Sequence, residues 1–390
     1  MTAHHDIIVV GAGPTGLAAA LEADRRGHDV AVVAPARAGR DERTAALLAG
    51  SVDLLERLGA WTHLAAKAAP MRSLRIVDAT RRLFRAPEVT FHASEIGLPA
   101  FGFNVRNADL VDALEARVGE RGLRRFATTV ERVAIDTDAA ALDFASGEDA
   151  TTRLVVAADG RHSRVRDSLG IGVREWRYDQ SALVVNLAHA LPHNDTSTEF
   201  HTEAGPFTLV PLPGRRSSLV WVDRPVEVAR RLDLSETALA GEIEERASSL
   251  LGAVTVDGPR QVFPLSGMTA SAFAAARVVL VGEAAHQFPP IGAQGLNLGY
   301  RDVAALGDML PRPGSDPGAP ARLAAYERAR RSDVLSRTAA VDALNRTLLT
   351  GFLPVQALRG LGLFLLDRIP SLRRAVMRQG VSPPPVAART

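Results

Sequence analysis

Two glycine-rich segments about 270 residues apart carry the residues best suited to bind an anionic cofactor. The first is GAGPTG at Gly11 to Gly16, and the second is VGEAAHQFPPIGAQGLNLGYRDVAAL from Val281 to Leu306. The first suits the pyrophosphate of a dinucleotide, and the second suits a flavin ring with its ribityl chain. The two segments are therefore predicted to converge on one bound flavin.

The first segment lies within a predicted strand, turn and helix. Ile7 to Val10 is a buried apolar strand, Thr15 to Arg26 a helix, and Asp29 to Val33 a second strand after the Gly27 stop. In such a unit the first glycine permits a tight turn, the second lets phosphate approach the backbone, and the third lets the helix pack on the strand. The helix N-terminus then faces the pyrophosphate. The predicted binding residues here are Gly11, Gly13, Pro14, Thr15 and Gly16.

The end of the second strand lacks the acidic residue that usually accepts the ribose hydroxyls. Ala34 stands there, and Arg37 and Arg40 follow it. Taken alone, the two arginines could instead indicate a 2′-phosphate and hence NADP in this site. The local pattern leaves both cofactors open.

Other polar residues stand beside predicted elements. Asp41 to Thr44 is predicted to be a loop that runs into an amphipathic helix ending at Gly59, and Arg43 either contacts the cofactor or is a surface charge. Asp159 and Gly160 follow the buried strand Leu154 to Ala157. A carboxylate at this end of a strand meets ligands in open α/β sheets, although an Asp-Gly pair also forms simple turns.

The second glycine-rich segment begins where the buried strand Arg277 to Val281 ends. Its prolines and glycines exclude a regular helix until about Leu296, and Leu298 to Leu310 is predicted to be helical. Small residues with exposed backbone N–H groups at a helix start suit a flat anionic ring system.

Composition narrows the functional classes. The 390 residues, 46% of them hydrophobic, can form two domains or one large domain with an insertion, and the absence of cysteine excludes disulfides, thiolate metal sites and a cysteine nucleophile. The 46 basic and 44 acidic residues are scattered, so no nucleic-acid partner is expected. The apolar run near the N-terminus has no basic leader, and no apolar stretch reaches the length of about 20 residues that a membrane span needs. A cytoplasmic protein is expected.

The middle of the chain differs in character from its ends. Ser73 to Phe91 alternates as strands do, Asn107 to Gly122 is predicted to be a helix, and five short strands are predicted between Ser181 and Phe263. With Ser235 to Leu251 as a helix, this part is predicted to be a mostly antiparallel sheet that binds the substrate.

C-terminal helices follow, and the region around Leu348 to Ile369, rich in Leu and Phe and flanked by arginines, either packs on the nucleotide fold or contacts lipid.

Taken together, these residues resemble the single-component aromatic flavoprotein monooxygenases typified by para-hydroxybenzoate hydroxylase, over the whole chain. DERTAALLAGSVDLLERLGAW, VVAADGRHSRVR and GEAAHQFPPIGAQGLNLGYRDVAAL are most similar to the ubiquinone-biosynthesis hydroxylases of the UbiH and UbiF type. The resemblance implies an α/β fold, with a Rossmann-like FAD-binding domain, an inserted mostly antiparallel β-sheet substrate domain and C-terminal helices. The expected FAD-binding domain comprises residues 1–72, 100–176 and 276–320, the substrate domain 73–99 and 177–275, and the C-terminal helical region 321–390.

The resemblance also assigns cofactor contacts. Gly11, Gly13 and Gly16 would receive the FAD pyrophosphate, Arg43 and Arg106 its phosphate and ribityl regions, and Val130 the adenine. Asp159 and Gly160 fall on a motif linked to both FAD and NAD(P)H, and Gly282 and Glu283 on the ribityl-binding motif. The residues expected to border the isoalloxazine ring are Pro290, Gly292, Gln294, Gly295 and Asn297, and the cofactor set also includes Ala34, Thr44, Ala293 and Leu296.

The activity implied is reduction of FAD by NAD(P)H, reaction with O₂, and transfer of one oxygen atom to an aromatic ring, with a prenylated phenol of ubiquinone biosynthesis as substrate. Expected partners are this lipophilic substrate, O₂, the inner face of the membrane and other quinone-biosynthesis enzymes. The alternatives are another aromatic or polyketide substrate, or a silent FAD-binding scaffold. A flavin halogenase is disfavoured, because that class depends on an active-site lysine and the only lysine here, Lys67, lies in an alanine-rich, helix-like stretch. His286 and Tyr178 are acid/base candidates by residue type only, so no catalytic residue is assigned.

Three departures from the family pattern concern the cofactor. Ala34 replaces the ribose acid, Glu283 replaces an aspartate, and Ala293 occupies a position that is often glycine. Glutamate keeps the negative charge but adds a methylene group. We therefore expect FAD to bind and to be partly lost on purification.

Overall fold

The computed structural model describes residues 3–80, 85–289, 294–349 and 368–381. Its strands are β1 (Ala3–Val10), β2 (Val30–Val33), β3 (Thr44–Leu48), β4 (Ala69–Met71), β5 (Ser73–Asp78), β6 (Val89–His92), β7 (Gly102–Arg106), β8 (Arg124–Phe126), β9 (Val130–Ile135), β10 (Ala140–Phe144), β11 (Asp149–Ala157), β12 (Val173–His189), β13 (Thr196–His201), β14 (Pro206–Leu212), β15 (Arg216–Asp223), β16 (Val254–Val256), β17 (Gln261–Ala270), β18 (Ala274–Ala275), β19 (Val278–Leu280) and β20 (His286–Gln287). Its α-helices are α1 (Pro14–Arg25), α2 (Ala49–Leu58), α3 (Asn107–Glu120), α4 (Arg164–Ser168), α5 (Pro225–Leu232), α6 (Glu236–Arg246), α7 (Gln294–Met309), α8 (Pro320–Leu349) and α9 (Pro370–Val381).

The first sheet has the strand order β18-β19-β11-β1-β2-β8, with the β9–β10 hairpin attached to β11. The pairings from β19 to β8 are parallel, and β18 pairs antiparallel with β19. β1 pairs in parallel with both β2 and β11, and α1 connects β1 to β2. Ile7, Ile8 and Val9 are fully buried, as expected when helices cover both faces of a parallel sheet. The predicted strand-helix-strand unit is confirmed, with bounds that move by a few residues.

The second sheet has nine strands in the order β20-β17-β12-β15-β14-β13-β5-β6, with β16 paired to β12. All of its pairings are antiparallel except that of β13 with β5, which confirms the predicted mostly antiparallel sheet. One core of this sheet includes Leu183, Leu219, Trp221, Leu239 and Ile243 from the sheet and α6. The predicted helix Ser235 to Leu251 is too long, because Ser248 and Ser249 adopt positive φ angles of 52° and 53°.

The domain division expected from the sequence remains a prediction, and two of its boundaries do not follow the sheets. The boundary at 176/177 lies inside β12, which runs unbroken from Val173 to His189. The boundary at 275/276 leaves β18 on the substrate side, although β18 pairs with β19 of the first sheet.

A third, small sheet corrects the prediction for the segment after Thr44. Thr44–Leu48 is not helical but forms β3, which pairs antiparallel with β7. Gly102 permits this pairing, because a Cβ atom there would lie 1.9 Å from the carbonyl oxygen of Leu47. Only Ala49–Leu58 forms the helix, which ends at Gly59 as predicted. The spacing of apolar residues in Thr44–Leu48 does not distinguish a helix from a strand, and pairing with a strand more than 50 residues away determined that a strand forms.

The C-terminal helices predicted between Ala321 and Met377 are confirmed over α8 and α9. α8 packs on α7, and α9 packs on the short 3-10 turn Ala93–Ile96. α7 begins at Gln294, four residues before the predicted start at Leu298. Most of the apolar region Leu348 to Ile369 lies outside the described residues. Within the described part of the chain, no helix combines the length and hydropathy needed to cross a bilayer.

Candidate functional site

A cleft of about 590 Å³ opens beside the carboxyl ends of β1, β2 and β11. This is the edge at which open α/β sheets bind ligands. Six residues of the expected cofactor set line it: Gly11, Gly13, Ala34, Val130, Asp159 and Gly160.

Glycine occupies three positions of the first segment for different structural reasons. Gly11 has a φ of +112°, and a Cβ atom there would lie 2.2 Å from the carbonyl oxygen of Ala158. A Cβ atom on Gly16 would lie 2.1 Å from the oxygen of Gly11. Gly13, in contrast, has a φ of −73° and its Cβ atom would meet nothing within 4 Å. The fold therefore requires Gly11 and Gly16, whereas the space at Gly13 is available to a ligand.

The start of α1 suits an anion. Gly13 is its N-cap residue, no side chain caps the helix, and Pro14 follows in the first turn. Unpaired N–H groups and the helix dipole favour a phosphate at such a terminus. The pyrophosphate of FAD fits this open position.

Arg37 and Arg40 are both engaged with one carboxylate of α3. Asp112 accepts hydrogen bonds from both, at 2.9 Å from Arg37 and 2.8 Å from Arg40. Asp112 thereby holds the loop after β2 against α3, which gives both arginines a structural role.

Asp159 holds an unused acceptor beside the cleft. Its Oδ2 accepts a hydrogen bond from the Val165 N–H at 3.2 Å, while its Oδ1 is buried with no hydrogen-bond partner among the described residues. A buried carboxylate oxygen without a partner is destabilising. A cofactor hydroxyl or N–H group would satisfy it.

The two glycine-rich segments meet at Thr15. A Cβ atom on Gly282 would lie 3.0 Å from Thr15 Oγ1, and one on Gly299 would lie 2.7 Å from the same oxygen. Gly282 also has a positive φ of 60°. The start of α1, the turn after β19 and the helix α7 are thus packed together, with glycine at the positions of closest approach.

Arg43 and Glu283 approach each other from the two ends of the chain. The hydrogen bond from Arg43 to Asp41 raises the pKa of Arg43, and the negative charge of Glu283 adds to the shift. The Nη2 of Arg43 lies 2.6 Å from the carboxylate of Asp41, and its Cζ lies 5.0 Å from the ring centroid of Phe263 in β17. Arg43 therefore lies near Glu283 of the second segment and contacts the antiparallel sheet through Phe263.

Arg106 and its neighbours form a separate group of charges. Its Nε donates to Asp109 at 2.6 Å, and Lys67 donates to the other oxygen of Asp109 at 3.0 Å. Lys67 is thus engaged in an ion pair. The assignment of Arg43, Thr44 and Arg106 to FAD remains a prediction, as does that of Glu283.

A buried carboxylate that sequence reasoning missed holds the turn at Gly282. Asp302 of α7 is fully buried and accepts hydrogen bonds from the Gly282 N–H at 2.8 Å, His286 Nε2 at 2.7 Å and Arg330 Nε at 2.6 Å. Burial alone would raise the pKa of Asp302, but the charges of His286 and Arg330 hold it below its usual value. His286 is therefore placed as a support of the turn. The sequence signal that could have identified Asp302 is an aspartate on the buried face of an amphipathic helix.

Asn297 binds protein backbone. Its amide donates to the Ala46 carbonyl at 2.7 Å, and its oxygen accepts from the Leu48 N–H at 2.8 Å and from Ser51 Oγ at 2.6 Å. It thereby fastens α7 to β3. Leu296 is half-buried, and a Cβ atom on Gly295 would meet nothing within 4 Å. Pro290, Gly292 and Ala293 lie outside the described residues, as does the side chain of Gln294.

Tyr178, the other acid/base candidate, lies in the antiparallel sheet. Its hydroxyl accepts a hydrogen bond from Trp176 Nε1 at 2.9 Å. A structural hydroxyl would make the same contact, so no catalytic role is assigned to Tyr178.

Comparison with known proteins agrees with this geometry. The model of the FAD binding domain family matches residues 4–340. The ubiquinone hydroxylase UbiL of Rhodospirillum rubrum is 36% identical, covering 96% of this chain and 89% of that protein. The 3-demethoxyubiquinol 3-hydroxylase of Escherichia coli is 32% identical, covering 96% of this chain and 97% of that protein.

Solved structures share the fold. The p-nitrophenol 4-monooxygenase PnpA of Pseudomonas putida superposes with a TM-score of 0.79 at 19% identity, covering 97% of this chain and 98% of that one. The expected α/β fold of the para-hydroxybenzoate hydroxylase type is confirmed.

Proposed function

The chain belongs to the FAD binding domain family of flavoprotein monooxygenases, and from this premise we propose that it hydroxylates the ring of a prenylated phenol in ubiquinone biosynthesis, using NAD(P)H and O₂. The observation that carries the proposal is the close approach of Thr15 to Gly282 and Gly299, which packs the two glycine-rich segments together, as binding of one cofactor by both would require. The two ubiquinone-pathway relatives, matched over 96% of the chain, support the substrate class.

The bound FAD supplies the redox chemistry and the activation of O₂. The residues of the chain would position the cofactor and the substrate and exclude water from them. The open backbone at Gly13 and the free Oδ1 of Asp159 would bind and orient the cofactor, and the contact between Arg43 and Phe263 would hold the antiparallel sheet beside it. A substrate ring between that sheet and the flavin would react away from bulk water, which limits wasteful release of hydrogen peroxide.

Spectroscopy and product analysis test this function. We expect FAD-loaded protein mixed anaerobically with NADPH to lose its visible flavin absorbance and to regain it in air. With a short-chain prenylated phenol present, the product should carry one additional oxygen atom, which mass spectrometry detects. A yellow protein that NADPH does not reduce would support the scaffold alternative, and turnover of only a polyketide or another simple aromatic would contradict the substrate class.

The proposal includes contact with the cytoplasmic face of the membrane, where a lipophilic substrate resides. Ile369, Leu372 and Val376 are large apolar residues that are 40%, 41% and 44% exposed. Leu372 and Val376, four residues apart, lie on one side of α9, and Ile369 directly precedes the helix. α9 carries arginines and no acidic residue, so its charge complements an anionic lipid surface. Arg373 ties this helix to the 3-10 turn that follows β6 by pairing with Glu95 at 2.6 Å.

We therefore expect the protein to sediment with phosphatidylglycerol vesicles, more weakly as salt is added, and not with phosphatidylcholine vesicles. Replacing Leu372 and Val376 together by glutamate should lower vesicle binding about 10-fold or more, because apolar burial and charge attraction are both lost. Leu335→Glu is the matched control, since Leu335 is 48% exposed on α8. Equal sedimentation of the double variant and the wild type would remove membrane contact from the proposal. Association with other quinone-biosynthesis enzymes is proposed only by analogy of pathway.

A further inference from the structure

The cleft lacks an acid at the usual ribose position but has one on a different element. Ala34, at the end of β2, is 7% exposed and carries no polar group. Of the described residues that line the cleft, two carry carboxylates, Asp159 and Glu115. Asp159 follows β11 beside Gly11, since a Cβ atom on Gly11 would lie 3.0 Å from the Asp159 nitrogen.

Glu115 lies on the other side, toward Ala34. It belongs to α3, and Asp112, one turn earlier, holds the loop after β2 through Arg37 and Arg40. Arg125, which also lines the cleft, is in β8, the strand that pairs with β2. Glu115 thus reaches the cleft beside the strand end from which the acid is missing.

One oxygen of the Glu115 carboxylate is hydrogen-bonded to Arg125, and the other is available to a ligand. Arg125 Nη1 donates to its Oε1 at 3.3 Å, and its Oε2 has no hydrogen-bond partner among the described residues. An ionised carboxylate is a stronger acceptor for ribose hydroxyls than a neutral group.

We propose that Glu115 accepts the hydroxyls of the adenylate ribose of FAD and so replaces the acid absent at Ala34. The inference rests on the proposed function in that it takes FAD as the cofactor of this cleft. It makes Glu115 a cofactor-binding residue supplied by a helix at the side of the sheet.

The test compares FAD with an analogue that lacks both hydroxyls of the adenylate ribose, each titrated into apoprotein by flavin fluorescence. Wild type should bind FAD about 10- to 100-fold more tightly than the analogue, the range expected for hydrogen bonds to a charged group. Glu115→Gln should weaken FAD binding by a similar factor and leave binding of the analogue nearly unchanged. Adding Ala34→Glu to Glu115→Gln should restore part of the preference for FAD.

Glu120→Gln is the matched control on α3, because Glu120 pairs with Arg117 and does not line the cleft. It should bind both ligands as wild type does. Unchanged FAD affinity in Glu115→Gln would overturn the proposal, and so would an equal loss for FAD and the analogue, which would indicate a structural role. A wild-type protein that bound neither ligand would instead overturn the FAD-dependent function itself.

Discussion

Replacing Gly13 by alanine is expected to weaken FAD binding by about 10- to 100-fold while leaving the apoprotein as stable as wild type. The backbone of Gly13, with φ at −73°, is accessible to any L-residue, and the added Cβ atom would meet no protein atom within 4 Å. That space lies at the N-terminus of α1, where a methyl group would hold the pyrophosphate away from the backbone N–H groups. Fluorescence titration with FAD and thermal denaturation of the apoprotein measure the two effects separately.

Gly11→Ala provides the contrasting variant. At Gly11 the φ of +112° disfavours alanine, and the Cβ atom would lie 2.2 Å from the carbonyl oxygen of Ala158. We expect the apoprotein itself to lose about 2–4 kcal/mol of unfolding free energy. If Gly13→Ala bound FAD as tightly as wild type, or lost as much stability as Gly11→Ala, the assignment of the space at Gly13 to the cofactor would be wrong.

Asp302→Asn is expected to lower the unfolding free energy by about 3–5 kcal/mol and to weaken FAD binding with it. Asparagine retains the size of aspartate, but it removes the negative charge that faces Arg330 and His286 in a fully buried site. Without that charge the buried Arg330 guanidinium loses one of its two carboxylate partners and keeps only Asp333, at 2.7 Å. The Gly282 N–H also loses a charged acceptor, so the turn that carries Glu283 is held less firmly. Urea denaturation and FAD titration provide the measurements.

The pH dependence of stability supplies a second signature of Asp302. Because its folded-state pKa is held below the unfolded value of about 3.9, its contribution is fully present above that pH and is lost as the pH falls toward the folded-state pKa. Wild type should lose stability through this acidic range more steeply than Asp302→Asn does. Asp308→Asn, on the same helix with a side chain 71% exposed, should stay within about 0.5 kcal/mol of wild type. Similar losses in the two variants would contradict the buried-network interpretation.

Local sequence patterns were sufficient for much of the first sheet. The apolar run Ile7 to Val10 could be identified as a buried strand, and the glycine spacing after it defined a tight turn into a helix, because both depend on neighbouring residues. The error at Thr44–Leu48 has the opposite origin. That segment is a strand because it pairs with β7 and because Asn297, some 250 residues later, binds its backbone. Such partners leave no trace in local periodicity.

The sequence by itself determined the cofactor class and predicted the two segments that would bind it. A glycine required by a tight turn or a close approach cannot be replaced without a clash, so its spacing is a readable motif. Only the tertiary structure decided which charges are free. Asp112 pairs with both Arg37 and Arg40, Arg330 and His286 surround Asp302, and Glu115 reaches the cleft from α3. Electrostatic interactions depend on distance in space, and the chain order of these residues does not record it.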